Sequence, residues 1–309
     1  MKKSISATVI IFGILTSGGA FAQGQATTPA SSPGSTGTSI TPVKSGYAPV
    51  NGLKLYYEIY GKGEPLVLLH GGLGVINMFG PVLQELASKR QVIGVELQGH
   101  GHTADIDRPM SFEAMADDIA ALLKHLGIPK ADIMGYSLGG GTALQMAFRH
   151  PDMVRKLVVV SFPFAHSGWF AGTIDQAAHM GPASAEAMKQ TPIYKVYLAA
   201  APRPEDWTKL NTKLGQLLGK DYDYSAEVRK LKIPTLLVIG DADAVHIPAA
   251  VEFFGLLGGG QRDGGWDGSG RSNSRLAILP GQTHYAIFMS PALSHAALPF
   301  LEEPMPAIK

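Results

Sequence analysis

The chain contains no cysteine among its 309 residues. A cysteine nucleophile, a metal site built on thiolates and any disulfide bond are therefore excluded. Charged side chains are also scarce, at 17% of the residues, and the formal net charge is only +1. Soluble domains carry about 25% of such residues. This balance does not indicate a surface for nucleic acid or for an anionic membrane, and neither is expected as a partner.

The first 22 residues have the pattern of a secretory signal peptide. Two lysines follow Met1, the stretch 5–15 is mostly apolar, and Ala-Phe-Ala at 20–22 places small residues where a signal peptidase reads. The apolar stretch is shorter than the ~20 residues that cross a bilayer. We therefore expect export to the periplasm or the medium, with cleavage near residue 22 and no membrane span in the mature chain.

Residues 23–46 are rich in Thr, Ser, Pro and Gly. They lack the apolar content that would offset the entropy of ordering them. We interpret them as a disordered tether that can be removed without loss of activity; a stalk for sugars or a cell-wall spacer is the alternative. The domain itself is expected over residues 47–309.

Within that domain, short apolar runs alternate with helical patterns. Because 45% of the chain is hydrophobic, a large core is available. Continuous apolar strands that alternate with helices predict an α/β fold, with a mostly parallel sheet covered by helices on both faces. Strands are predicted at 53–60, 65–69, 91–97, 132–136, 154–162, 235–239 and 276–279, and helices at 75–89, 112–126 and 138–149.

Two stretches interrupt the alternation. Residues 163–232 contain eight Trp, Phe and Tyr side chains together with helical patches. They are long enough to form a small lid placed between two strands of the core. Residues 258–274 are so rich in glycine that we interpret them as a mobile surface loop rather than as a phosphate-binding loop.

The strongest motif is Gly135-Tyr136-Ser137-Leu138-Gly139. It follows an apolar strand and precedes a helix rich in Gly and Ala, which is the context that a nucleophile elbow requires. The sharp turn needs neighbours without bulk, and its two glycines meet that need. Ser137 is therefore the predicted nucleophile. The Leu138 N–H begins a helix, where unpaired donors and the helix dipole favour a developing oxyanion.

A serine nucleophile needs a base, and the base needs an acid that orients it. His284 follows the last apolar strand, which places it at the same sheet edge as Ser137. His246 is the competing histidine, and it is close enough to the predicted acid to line the pocket without being the base. The acid is expected after the strand 235–239, where Asp241 and Asp243 are both candidates.

A second oxyanion donor is expected from His70-Gly71-Gly72-Leu73-Gly74, which follows the strand 65–69. Glycine lets the backbone approach a substrate closely, and we assign the donor to the Gly72 N–H. His70 is expected to hold the loop rather than to take part in catalysis. The pair His100 and His102 lacks further ligands at metal-binding spacing, so it is interpreted as a tight turn.

Together these motifs resemble the α/β-hydrolase superfamily, in its branch of small-substrate esterases, haloperoxidase-like perhydrolases and proline iminopeptidases. The resemblance covers about residues 50–303. It implies an oxyanion loop at His70-Gly71-Gly72, an acid in the G-x-x-D motif that ends at Asp243, His284 as the base, and a lid after the sixth strand. The chain departs from the family at Glu96, where an aspartate is usual, and at Thr283, where a glycine is usual.

The resemblance implies a serine hydrolase with a Ser-His-Asp triad that needs no metal or organic cofactor. Ser137 argues against dehalogenases and epoxide hydrolases, which carry Asp at this position, and Leu73 stands where proline iminopeptidases carry proline. We expect cleavage of a small to medium, apolar carboxylic ester through an acyl-enzyme. The alternatives are a lactonase or C–C hydrolase with the same triad, and a non-catalytic ligand-binding protein. The candidates for lining the substrate pocket are Leu73, Met78, Phe79, Phe162 and His246.

Overall fold

The structure is a computed structural model that describes residues 40–305. The predicted signal peptide and residues 23–39 of the predicted tether lie outside this range. Among the described residues, no helix is long and apolar enough to cross a membrane.

Eight strands form a single sheet. They are β1 (Lys44–Val50), β2 (Leu53–Tyr60), β3 (Pro65–Leu69), β4 (Gln91–Val95), β5 (Ala131–Tyr136), β6 (Val154–Val160), β7 (Thr235–Ala242) and β8 (Arg275–Thr283). Their spatial order is β1-β2-β4-β3-β5-β6-β7-β8. The pairs β1 with β2 and β2 with β4 are antiparallel, and every pair from β4 to β8 is parallel. The mostly parallel sheet that the apolar runs predicted is confirmed.

Helices cover both faces of this sheet. They are α1 (Pro81–Ala87), α2 (Phe112–His125), α3 (Leu138–Arg149), α4 (Ala171–Ala178), α5 (Pro182–Met188), α6 (Pro192–Ala200), α7 (Trp207–Leu218), α8 (Ser225–Lys230), α9 (Ile247–Leu256) and α10 (Pro291–Glu302). Ser111 caps α2, as expected from its sequence, by accepting a hydrogen bond from the Ala114 N–H. Helices α4 to α8 lie between β6 and β7, so the predicted helical insertion after the sixth strand is present.

The sheet divides the core into two layers. In β3, Val67 and Leu69 face the layer that contains α2 and α3, whereas Leu66 and Leu68 face the layer that contains α1 and α10. All four side chains are essentially inaccessible to solvent. Alternate residues of a strand point to opposite faces, which is why this central strand is apolar at every position. The lid helix α7 contributes to the same layer as α2 and α3.

The predicted tether is wrong at its last three residues. β1 begins at Lys44, so residues 44–46 are paired with β2. The strands are joined by Asn51 and Gly52, which have φ angles of 46° and 83°. Asn-Gly favours the two-residue turn whose twist matches a hairpin. This turn and the length of β2 allow residues 44–46 to pair with β2. The domain therefore begins earlier than composition indicates.

The predicted helix over 75–89 is also corrected, because it is broken in two. A 3-10 helix spans Ile76–Phe79, and α1 begins at Pro81. Between them, Gly80 has a φ of 48°. Proline lacks an N–H and clashes with the preceding turn inside a helix, whereas the first helical position tolerates it. The chain therefore restarts at Pro81. The glycine-rich stretch 258–274 contains no helix or strand in the described structure.

Candidate active site

Ser137 lies at the sharp turn between β5 and α3. Its φ and ψ are 51° and −116°, a region that side chains rarely occupy and that is maintained only by the surrounding structure. A Cβ on Gly135 would overlap the carbonyl oxygen of Gly139, and one on Gly139 would overlap the backbone of Leu69. The two glycines of the motif are therefore required by close backbone contacts. The turn leaves the Ser137 side chain partly accessible to solvent.

The structure brings together the three residues that the sequence predicted as nucleophile, base and acid. His284 Nε2 lies 3.1 Å from Ser137 Oγ, and His284 Nδ1 lies 2.8 Å from Asp243 Oδ1. Asp243 and His284 are both buried. With Nδ1–H donating to the carboxylate, Nε2 is left as the acceptor for the serine proton. Both distances lie within the hydrogen-bonding range of about 2.6 to 3.2 Å.

The carboxylate of Asp243 receives four hydrogen bonds. Oδ1 accepts from His284 and from the Val245 N–H at 3.3 Å, and Oδ2 accepts from the Gly240 N–H at 3.0 Å and from the Ser161 hydroxyl. Burial alone would raise the pKa of this carboxyl, but the hydrogen bonds, that of His284 first, outweigh burial and hold the pKa below its usual value. The acid therefore stays ionised beside the histidine.

The competing carboxylate, Asp241, does not reach the histidine. Its side chain is exposed and accepts a hydrogen bond of 2.7 Å from the Gly281 N–H. It thereby connects the end of β7 to β8. Of the two acids that the sequence left open, the structure places Asp243 against His284.

Two backbone N–H groups near Ser137 were predicted to receive an oxyanion. A Cβ on Gly71 would lie 3.4 Å from Ser137 Cβ, so the loop after β3 runs directly beside the nucleophile. The N–H groups of Gly72 and Leu138 have no hydrogen-bond acceptor among residues 40–305. That of Leu138 lies in the first turn of α3, where helices leave their donors unpaired. The role of these two groups as oxyanion donors stays a prediction.

The His70 side chain holds the conformation of the loop after β3 by hydrogen bonds. The Leu97 N–H donates to its Nε2 at 3.1 Å, so the ring proton lies on Nδ1, which donates to the Gly71 carbonyl at 2.7 Å. Burial lowers the pKa of His70 to about 3, because a charged imidazolium is disfavoured where water cannot reach it. His70 is therefore neutral and connects its own loop to the segment after β4 by hydrogen bonds, as the sequence led us to expect.

Sequence analysis missed three residues around the histidine. The Tyr136 hydroxyl donates to the His284 carbonyl at 2.6 Å, and the Trp169 ring contacts the His284 ring edge to face at 5.6 Å between centroids. Ser161 supplies the donor to Asp243 described above. Tyr136 lies inside the recognised motif and Ser161 directly follows β6, so their positions held a signal. Trp169 lies in the lid, where composition alone did not indicate its partner.

The family model described as the alpha/beta hydrolase fold matches residues 64–255, which is more than half of the chain. The chain belongs to the α/β-hydrolase fold family. Among curated relatives, a putative esterase/lipase of Haemophilus influenzae is 29% identical over 105 residues, which cover 34% of this chain and 36% of that protein. A putative carbamate hydrolase, RutD, of Azorhizobium caulinodans is 34% identical over 115 residues, covering 37% and 43%. The chain thus spans less than half the length of these relatives.

Solved structures resemble this α/β-hydrolase fold protein over most of its length. The carboxylesterase CesB of Bacillus subtilis superimposes with a TM-score of 0.66 at 19% identity, covering 84% of this chain and 91% of that one. The enol-lactonase of Burkholderia xenovorans gives a TM-score of 0.63 at 22% identity, covering 83% and 100%. At such identities the likeness shows the fold alone.

The predicted pocket-lining residues of this α/β-hydrolase fold protein fall into different places. Leu73, with a φ of 59°, is partly exposed beside Gly72. Phe79 is 1% exposed and packs edge to face on Phe288 in the core, so its contact with substrate stays a prediction. Met78 is partly buried against the same core layer. Both residues belong to the 3-10 helix Ile76–Phe79, which packs its apolar side chains against the core layer that contains α1 and α10.

Phe162 is also buried in the core. It stacks on Tyr222 with 5.5 Å between ring centroids and meets Trp169 edge to face at 5.8 Å, so it supports Trp169 without being exposed itself. His246 packs on Phe170 at 3.8 Å and lines a cavity of about 330 Å³. Neither Ser137 nor His284 lines that cavity. The structure contains no substrate, so direct contact with Phe162 or His246 stays a prediction.

The histidine pair of the turn after β4 does not form a metal site. His102 pairs with Glu96 at 2.8 Å, and His100 is buried with Nδ1 3.0 Å from the Gln98 carbonyl. A Cβ on Gly101 would overlap the Glu96 carboxylate, so the turn is built around that side chain. Across the described part of the chain, no group of three or more His, Cys, Asp or Glu side chains could hold a metal ion.

Proposed function

We propose that this α/β-hydrolase fold protein is a serine hydrolase that cleaves a carboxylic ester of small to medium size. Ser137 acts as nucleophile, His284 as general base and acid, and Asp243 orients the histidine. The observation that carries the proposal is the continuous chain of hydrogen bonds from the Asp243 carboxylate through His284 to Ser137 Oγ. A hydroxyl with such a base is an activated nucleophile.

The reaction proceeds in two halves. As Ser137 Oγ attacks the ester carbonyl, His284 Nε2 takes its proton, and the carbonyl oxygen becomes an oxyanion beside the N–H groups of Gly72 and Leu138. The intermediate collapses, and the leaving alcohol takes the proton from His284. Water then attacks the acyl-enzyme while His284 accepts a proton from it, and His284 returns that proton to Ser137 Oγ as the acid is released. Each oxyanion donor contributes about 3 kcal/mol in related enzymes.

Two further observations support an ester substrate with an apolar part. The rings of Trp169 and Tyr285 flank His284, with centroid distances of 5.6 and 5.4 Å. Esters are also named in the relatives, a putative esterase/lipase and a carboxylesterase. Aromatic walls favour apolar groups over charged ones.

The test is labelling of the purified full-length protein with a fluorophosphonate probe, followed by hydrolysis of p-nitrophenyl esters. Wild type should be labelled, and Ser137→Ala should not. The Ser137→Ala variant should lose about 10⁶-fold in kcat, as far as the background rate allows. Ser88→Ala is the matched control, because its hydroxyl bonds only a surface carbonyl at Glu85. A wild type that is neither labelled nor active on any ester would refute the proposal and favour a non-catalytic binding protein.

A further inference from the structure

The lid helix α7 forms a roof over the predicted oxyanion loop. If Gly72 carried a Cβ, it would lie 3.9 and 4.0 Å from the two terminal carbons of Leu214, a normal van der Waals contact. One turn earlier, Leu210 lies over Gly99 of the neighbouring turn in the same way, at 3.4 Å. Leu210 and Leu214 are both inaccessible to solvent. One face of α7 therefore packs against the loop at Gly72, which itself remains exposed.

A cluster of ionised groups anchors this helix to the loop after β4. The Asp105 carboxylate, 1% exposed, accepts hydrogen bonds of 2.7 to 2.9 Å from the Lys213 ammonium, and it pairs with Lys209 at 2.7 Å. The Lys213 ammonium also donates to the carbonyls of Ile106 at 2.7 Å and Arg108 at 2.8 Å. Its side chain is 13% exposed, against 42% for Lys209. Lys213 is thus the buried anchor, and Lys209 lies at its solvent edge.

On the other side, Asp105 is held by the core of the domain. Gln98 Nε2 donates to it at 2.7 Å, and Arg108 connects Gln98 to the buried Asp118 of α2. Breaking a buried ion pair leaves an uncompensated charge, which is more costly than removing both partners. The position of α7 relative to the sheet therefore depends on Lys213.

The geometry of the tetrahedral intermediate indicates which part of a substrate α7 would meet. One substituent is Ser137 Oγ, and a second is the oxyanion at Gly72 and Leu138. The leaving oxygen must face His284 Nε2, which protonates it, on the side flanked by Trp169. The acyl chain takes the remaining direction, away from the histidine and past the oxyanion loop. The contact that Gly72 of this loop makes with the lid is the one with Leu214 of α7.

We propose that the ion pair of Lys213 with Asp105 positions α7 so that Leu214 limits the acyl chain, which makes the enzyme selective for esters of short acids. Leu214 determines the specificity, and Lys213 acts as a positioning residue through it. This inference rests on the proposed ester hydrolysis. The ion pair itself is tested independently of any activity.

The first experiment measures kcat/KM for p-nitrophenyl acetate, butyrate and hexanoate. Wild type should prefer acetate or butyrate. Leu214→Ala should raise the hexanoate-to-acetate ratio about tenfold, because room for two more buried methylenes corresponds to that factor. Leu214→Val is a milder variant in case the alanine variant unfolds, and it should move the ratio in the same direction. Leu198→Ala is the control on an exposed lid position. An unchanged ratio in both folded Leu214 variants would overturn the assignment of the acyl side.

The second experiment measures amide hydrogen exchange in the peptide that covers Trp207–Leu218. Lys213→Met should speed its exchange at least tenfold and reduce acyl selectivity, whereas Lys209→Met should change the exchange less than threefold. Asp105→Asn is the second variant and should reproduce Lys213→Met. Unchanged exchange in both would overturn the positioning role, even with an active enzyme. If wild type hydrolyses no ester but the exchange changes as expected, the proposed function fails while the anchor of α7 stands.

Discussion

Replacing Ser161 by alanine tests whether the Asp243 carboxylate is held ionised by its hydrogen bonds. The Ser161 hydroxyl is one of four donors to this buried group. A hydrogen bond to a charged partner contributes about 1.5 to 3 kcal/mol, against about 1 kcal/mol for a neutral pair. For a domain of this size, a loss of about 2 kcal/mol corresponds to a fall in Tm of roughly 4 to 8 °C at pH 7.

The pH dependence of that fall is the sharper part of the prediction. Because the folded pKa of Asp243 lies below its usual value, the ionised carboxylate stabilises the fold above the unfolded pKa of about 3.9. This contribution is lost as the pH falls through the folded pKa. The difference in Tm between wild type and Ser161→Ala should therefore shrink as the pH is lowered from 7 towards 3, followed by calorimetry or circular dichroism.

Thr235→Val is the matched control for this experiment. Its hydroxyl donates to the neutral Ile233 carbonyl at 2.9 Å, so its cost should be near 1 kcal/mol and independent of pH. Ester hydrolysis at pH 7 should fall far less in Ser161→Ala than in Asp243→Asn, for which about 10⁴-fold is expected. A Tm difference for Ser161→Ala that is as small and as pH-independent as that of Thr235→Val would refute the reasoning.

Two further predictions concern the turns that carry the site. Gly135→Ala should destabilise the protein by about 3 kcal/mol or more, measured by urea unfolding, since its Cβ would overlap a backbone carbonyl that has little freedom to move. Gly172→Ala in α4, where nothing lies within 4 Å, should instead stabilise it by about 0.5 to 1 kcal/mol; equal effects would contradict the steric argument. Glu96 raises the pKa of His102, so this pair stabilises the fold below the unfolded histidine pKa of about 6.5, and the stability is lost as the pH rises through the folded value. His102→Gln should flatten the pH dependence of Tm in that window, and an unchanged dependence would count against it.

The fold was predictable because the central strands are buried on both faces. Their continuous apolar runs, such as 65–69, indicate a parallel sheet without reference to any other part of the chain. The N-terminal boundary of the domain was harder to predict from apolar runs. β1 contains exposed and small residues at its start, and its pairing depends on the Asn51-Gly52 turn rather than on its own composition. Local composition therefore set the boundary of the tether too late.

The site divides in the same way. Ser137 and His284 follow strands, so the topology of the sheet brings them to one edge. A serine and a histidine at that edge indicate a nucleophile and a base. Choosing between Asp241 and Asp243 required the family pattern, because both follow the predicted strand 235–239 and a shift of two residues leaves a side chain on the same face of a strand. The lid residues could not be assigned, since apolar side chains there serve packing and substrate contact alike. Phe79 and Phe162 show how often packing accounts for them.

Strand order explains why a serine at the end of β6 takes part in the site. The nucleophile follows β5 and the acid follows β7, and in the sheet β6 lies between these two strands. Ser161 directly follows β6, and its N–H is fixed by the Val238 carbonyl at 2.8 Å. Its φ of 52° is close to that of Ser137, at 51°, so each of these neighbouring strands is followed by a serine of positive φ. Ser161 therefore lies at the strand end between Ser137 and Asp243, and its hydroxyl donates to the Asp243 carboxylate. In an α/β sheet with this order, the residue after the intervening strand is therefore the first position to inspect for a group that supports the acid.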